Sequence, residues 1–273
     1  MPALLGFLVV SVVTGAIVAR LTDWGAPPTP RRATVDLADN ARKLQAVLSS
    51  LAGFAVTSLV LLITFAGIRL DPNEERTIAL IALLVVAYLG FVVGGIMYAH
   101  TEPIIARDGT DMLAVQHATA STQFYRSIVQ GWLALGPLVA IVGVDRLTVF
   151  VLALLLIAVL GGWIFNAANL TAIGYATPKF AVLSPVLGLA GAAGFAVLTR
   201  FVPTMHHPDS VLFLVGAGAA MGATAHFLFH AARLIGADVP SRVTRWLRAV
   251  ASADAHASVV LMAFQWLAIA GFI

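Results

Sequence analysis

Long apolar runs, broken by short clusters of charge, proline and turn residues, set the pattern of this chain. They fall near 3–20, 45–68, 77–100, 127–144, 148–172, 180–200, 211–235 and 257–273. A helix needs about 20 apolar residues to cross a hydrocarbon core of about 30 Å, and a spanning segment must satisfy its backbone groups internally. The pattern therefore predicts an all-α fold, a polytopic membrane bundle of about eight transmembrane helices. The run at 257–273 is short and holds Gln265, so it also fits an interfacial helix or one buried against a partner.

The connections carry their own signals. Pro27, Pro28 and Pro30 in the stretch Trp24 to Arg32 favour extended backbone and a surface loop. Val35 to Leu44 is helix-compatible and is expected to lie along the interface before the second span. Arg245 and Arg248 flank Trp246, an interfacial mixture. Residues 1–273 thus read as a single transmembrane domain with cytoplasmic loops at 21–44, 101–126 and 234–256. Met1 to Leu5 lacks the basic flank of a secretory signal, so the first run is expected to be a retained helix.

Composition sharpens this. Hydrophobic residues make up 60% of the 273 and charged residues 11%, where soluble domains carry about 25% charge, which leaves no length for a soluble domain. The net charge of +3 sits in loops beside the spans and reflects membrane topology rather than nucleic-acid binding. Twelve of the 16 Lys and Arg fall on the side of the first, third, fifth and seventh loops, and four (Arg69, Arg76, Arg146 and Arg200) on the other. The positive-inside rule then places both termini outside a bacterial or archaeal plasma membrane. With no cysteine, disulfides, thiolate metal sites and a Cys nucleophile are excluded.

Polar groups within spans are costly and mark function. In the seventh span Gly218, Gly222, His226, His230 and Arg233 follow at helical spacing on one face, small in one half and basic in the other. Glycines spaced by four let a neighbouring helix approach closely, and His226 with His230 suits a proton relay or metal chelation. The third span has Gly90, Gly94, Tyr98 and Glu102 on one face with His100 nearby, and the fifth has Asn166 and Asn169. Interhelical amide hydrogen bonds are the plainer role for the Asn pair. Taken together, His226, His230, Asn166, Asn169, Tyr98, Glu102 and Arg233 predict a polar vestibule facing the cytoplasm. A metal set of His100, His117, His226 and His230 is the weaker pattern, because no His-Glu-x-x-His spacing is present. Asp254 and His256, at the start of the eighth run, are expected to cap a helix or to join one of these clusters.

No Walker, Gly-x-Ser-x-Gly or potassium-filter motif occurs, and no cofactor is assigned. The expected partners are the lipid bilayer and, through the glycine faces, a second copy of the chain or partner membrane subunits. The sequence favours a channel or transporter for a small ion or solute over a non-catalytic membrane subunit or scaffold, and over a histidine-dependent metal or haem membrane enzyme.

Overall fold

The computed structural model describes residues 2–22, 37–66, 74–100, 110–142, 145–173, 175–199, 209–235 and 241–272. Among them are nine helices: α1 (Pro2–Thr22), α2 (Leu37–Ala66), α3 (Glu75–Ala99), α4 (Thr110–Leu133), α5 (Leu135–Val142), α6 (Asp145–Ala172), α7 (Pro178–Thr199), α8 (Asp209–Ile235) and α9 (Ser241–Phe272). Eight stretches are long and apolar enough to cross a membrane, with α4 and α5 together forming one of them. The chain is a multi-pass, all-α membrane bundle, and no strand occurs among the described residues.

Three boundaries differ from those read in the sequence. Residues 110–126, expected in a loop, are helical, and the fourth span runs Ala114–Val142. The eighth is a continuous helix whose span covers Arg242–Gly271, so most of the stretch 234–256 is helix as well. Leu37 to Leu44 is the first part of α2 rather than a separate interfacial helix. In the fourth and eighth spans most of the polar residues do not end the helix because they face protein rather than lipid, whereas at the start of α2 Asp39 and Lys43 are exposed and pair with each other at 2.6 Å.

The arrangement puts polar helices in the middle. α4 and α9 pack on each other, and a ring of α3, α8, α1, α7, α6 and α5 surrounds them, while α2 lies outside, mainly against α3. The spans of α9 and α4–α5 are the two most buried, although they are also the two least apolar. Leu5, Val12, Phe54, Val149, Ile157, Ile164 and Phe227 point outward from the other helices. An apolar exterior of this extent is the surface a bilayer covers.

Two prolines shape the helices. Pro137 has no N–H to offer Leu133 one turn earlier, and the helix breaks at Ala134 between α4 and α5. Pro185 lies inside α7 and likewise leaves the Ala181 carbonyl without its helical donor. The indole N–H of Trp163 on α6 donates to that carbonyl at 2.9 Å. A helix defect is thereby turned into a bond between two helices.

Candidate functional site

α4 carries the site because its polar residues recur every three or four positions. Gln116, His117, Thr119, Ser121, Thr122, Gln123, Arg126, Ser127 and Gln130 are all buried. The glycine faces of α3 and α8 receive this row. A Cβ on Gly90 would collide with Ser127 Oγ, one on Gly218 with the Gln130 amide, and one on Gly222 would lie 3.3 Å from Gln123 Oε1. The close approach expected from these glycines is therefore made within the chain, by polar side chains of α4 at Gly90, Gly218 and Gly222 and by Leu48 of α2 at Gly94.

At the centre is a buried ion pair. Arg126 on α4 donates through Nη1 to Asp254 Oδ1 on α9 in a short contact, and to Ser258 Oγ at 2.9 Å. Its Nη2 donates to Gln123 Oε1 at 2.6 Å and to the Met221 carbonyl of α8 at 3.5 Å. The Arg126 side chain is 1% exposed and that of Asp254 9%. Arg126 lies two residues from the centre of Ala114–Val142, and Asp254 two to three from that of Arg242–Gly271. At a rise of about 1.5 Å per residue, the pair sits within about 4 Å of the middle of each apolar span. Arg126, counted above among loop residues, is an interior charge, and Asp254 pairs with it in mid-helix instead of capping α9.

A second network joins four helices, α2, α3, α4 and α6, at the bundle end formed by the C-termini of α3, α6 and α8. Ser121 Oγ donates to Asn166 Oδ1 at 2.7 Å, and Asn169 Nδ2 donates to Ser121 Oγ at 2.8 Å. Asn40 Nδ2 of α2 reaches Asn169 Oδ1 at 3.3 Å and His117 Nε2 at 3.2 Å. The His117 ring meets Tyr98 of α3 edge-on at 5.3 Å. Beyond the spans, Tyr175 donates to the Arg248 carbonyl at 2.7 Å and meets Ser252 Oγ at 3.1 Å. Burial holds its phenol above the ordinary range and so keeps it protonated.

Of the sequence candidates, Tyr98, Asn166 and Asn169 come together in this network. His226 and His230 stack edge to face at 4.3 Å between ring centroids, and His100 lies 6.5 Å from His230. The set His100, His117, His226 and His230 does not close, because His117 is engaged with Asn40 and Tyr98. Among the described residues no group of three or more His, Cys, Asp or Glu is placed to hold a metal ion. Glu102 and the Arg233 side chain lie outside the described residues.

Sequence reasoning missed Arg126, Gln123, Gln130, Ser121 and Asn40. The signal for the four on α4 was the polar face of 116–130, which low hydropathy disguised as a loop; Asn40 lies at the polar start of α2, with no local signal of its own.

His256 forms a separate site. Thr14 Oγ1 donates to the Val10 carbonyl at 2.6 Å, so its one proton is spent and it accepts from His256 Nε2 at 2.8 Å. Ser184 Oγ then donates to Nδ1 at 3.0 Å. These bonds define a neutral imidazole protonated at Nε2.

Compared with known protein families, curated proteins and solved structures, the chain matches none.

Proposed function

We propose that the chain is a channel or transporter for a small ion or solute, with its path between α4, α8 and α9. The support is the Arg126–Asp254 pair near the middle of two apolar spans. A charge at the bilayer centre is costly, and such groups mark ion and solute pathways. A buried pair is also weak as a source of stability, since well-packed apolar residues often replace it without loss. The path opens toward the bundle end where His100, His226 and His230 gather, which the distribution of basic residues assigns to the cytoplasm.

Liposomes holding the purified chain are expected to pass at least one of H+, Na+, K+, Cl−, ammonium and glycerol, and Asp254→Asn is expected to suppress that flux. Silence across the panel sinks the proposal.

A second reading, a membrane subunit held by partner chains, draws on one observation. A groove of about 660 Å³ opens between α2 and α3 and is lined by Ser49, Gly53, Thr57, Tyr88 and Gly95. It would accept a partner helix. Copurification of a second membrane chain without any flux would favour this reading over transport.

A further inference from the structure

One face of α4 presents Thr122, Arg126 and Gln130 at successive intervals of four. All three are at most 2% exposed. Thr122 Oγ1, Arg126 Nε and Gln130 Nε2 have no protein hydrogen-bond partner, nor does Asp254 Oδ2 opposite. Farther along α9, Gln265 donates through Nε2 to the Leu214 carbonyl of α8 at 3.1 Å, while its Oε1 is unpartnered. α8 runs antiparallel to α4, with Gly218 beside Gln130 and Met221 beside Arg126. This register, with Gly222 beside Gln123, places His226 farther toward the same bundle end, beyond the level of Thr122, and His226 Nδ1 is buried and unpartnered too. The unsatisfied atoms thus form a file from Gln265 and Gln130, past Arg126 and Asp254, to Thr122 and His226.

The chemistry of the file selects its occupant. Arg126 Nε and Gln130 Nε2 donate, Asp254 Oδ2 and Gln265 Oε1 accept, and the Thr122 hydroxyl does both. A metal cation would need a shell of oxygens, and two of these groups are N–H donors. An inorganic anion would need uncompensated positive charge, and Asp254 already neutralises Arg126. Water donates and accepts, and typically makes about three hydrogen bonds to buried polar groups of this kind.

We infer that this file holds water and conducts protons, with Asp254 as the proton-accepting station. The inference rests on the transport reading and names its substrate class. In the step, a hydronium O–H bond breaks and an O–H bond forms at Asp254 Oδ2, leaving water and a neutral carboxylic acid beside the Arg126 guanidinium. The same proton then passes from Oδ2 to the next water, which restores the carboxylate. Around Asp254 the charged and titratable groups are Arg126 from α4, Arg248 on α9, and Tyr175 from the α6–α7 connection. His256 points away, toward Thr14 and Ser184.

The test is proton flux into liposomes that carry the full chain and an internal pH dye, driven by a pH gradient and compared with Na+, K+ and Cl− flux. Asp254→Asn is expected to lower proton flux about 100-fold, as loss of a positioned proton acceptor does. Thr122→Val keeps shape and charge, guards against a folding failure of the first variant, and is expected to lower flux about threefold at unchanged elution volume. Flux of Na+, K+ or Cl− without protons overturns the inference and leaves the transport reading standing. Silence for every probe, ammonium and glycerol included, removes both. Full proton flux in a folded Asp254→Asn or Thr122→Val chain removes the file.

Discussion

Helices α6 and α4 pack side by side and solve opposite problems. The α6 span has a mean hydropathy of 2.5 and few of its residues are buried, whereas the α4–α5 span has 1.3 and most of its residues are buried. α6 presents Ile157, Ile164 and Phe165 outward and reserves Trp163, Asn166 and Leu170 for the interior. On α4 nearly every residue from Ala114 to Val129 is buried, polar ones included. Lipid tails are as apolar as leucine, so helices inside a bilayer gain little by hiding leucine. They gain by bringing polar side chains together, and the chain does so by placing its least apolar spans innermost.

Removing half of the central pair gives the largest expected effect. Arg126→Ala strands Asp254 in a low-dielectric interior and should destabilise the folded chain by about 3–5 kcal/mol, read as a lowered melting temperature in detergent. The double variant Arg126→Met, Asp254→Leu should recover most of that loss. A double variant as unstable as the single would mean that the pair holds the bundle together, and the contrast with α6 would then be one of stability rather than function.

The glycine seats come next. Gly90→Ala forces a Cβ into Ser127 Oγ, a short side chain with little room to yield, and should cost about 1–3 kcal/mol. Gly53→Ala, with nothing within 4 Å of its added Cβ, should be neutral or slightly stabilising. Equal melting temperatures for the two would show that α3 does not seat α4 as described.

Trp163→Phe keeps the ring and removes the N–H bonded to the Ala181 carbonyl. A loss of about 1–2 kcal/mol is expected from the stranded acceptor, visible in the same melting assay. Smallest is Ile157→Leu on the outer face of α6, where the side chain is 63% exposed. It should change stability by less than about 0.5 kcal/mol, and a larger loss would mean that protein rather than lipid covers that face.

Much of this was legible in the sequence, and the part that was not has a definite cause. The membrane class and the existence of eight spans follow from apolar runs, which lipid-facing helices must have. The starts of the fourth and eighth spans did not follow, because hydropathy reads Gln116, His117, Gln123, Arg126 and Asp254 as signs of water. Inside the bundle Arg126 meets Gln123 and Asp254, and His117 meets Asn40 and Tyr98. The pairing of Arg126 with Asp254 joins residues 128 positions apart, beyond the reach of any local window. The glycine faces of α3 and α8 were visible as sockets, and so were Tyr98, Asn166, Asn169 and His226 as interior polar groups. What occupied the sockets lay in a stretch taken for a loop.

The 128 residues between Arg126 and Asp254 also set a problem of assembly. A chain made at about 5–20 residues per second brings α9 out of the ribosome roughly 6–26 s after α4. Throughout that interval Arg126 lacks its Asp254 partner, and the polar face of α4 has only the earlier helices to pack against. The inner helix is therefore the one that settles late, and the arrival of α9 locks the bundle from within.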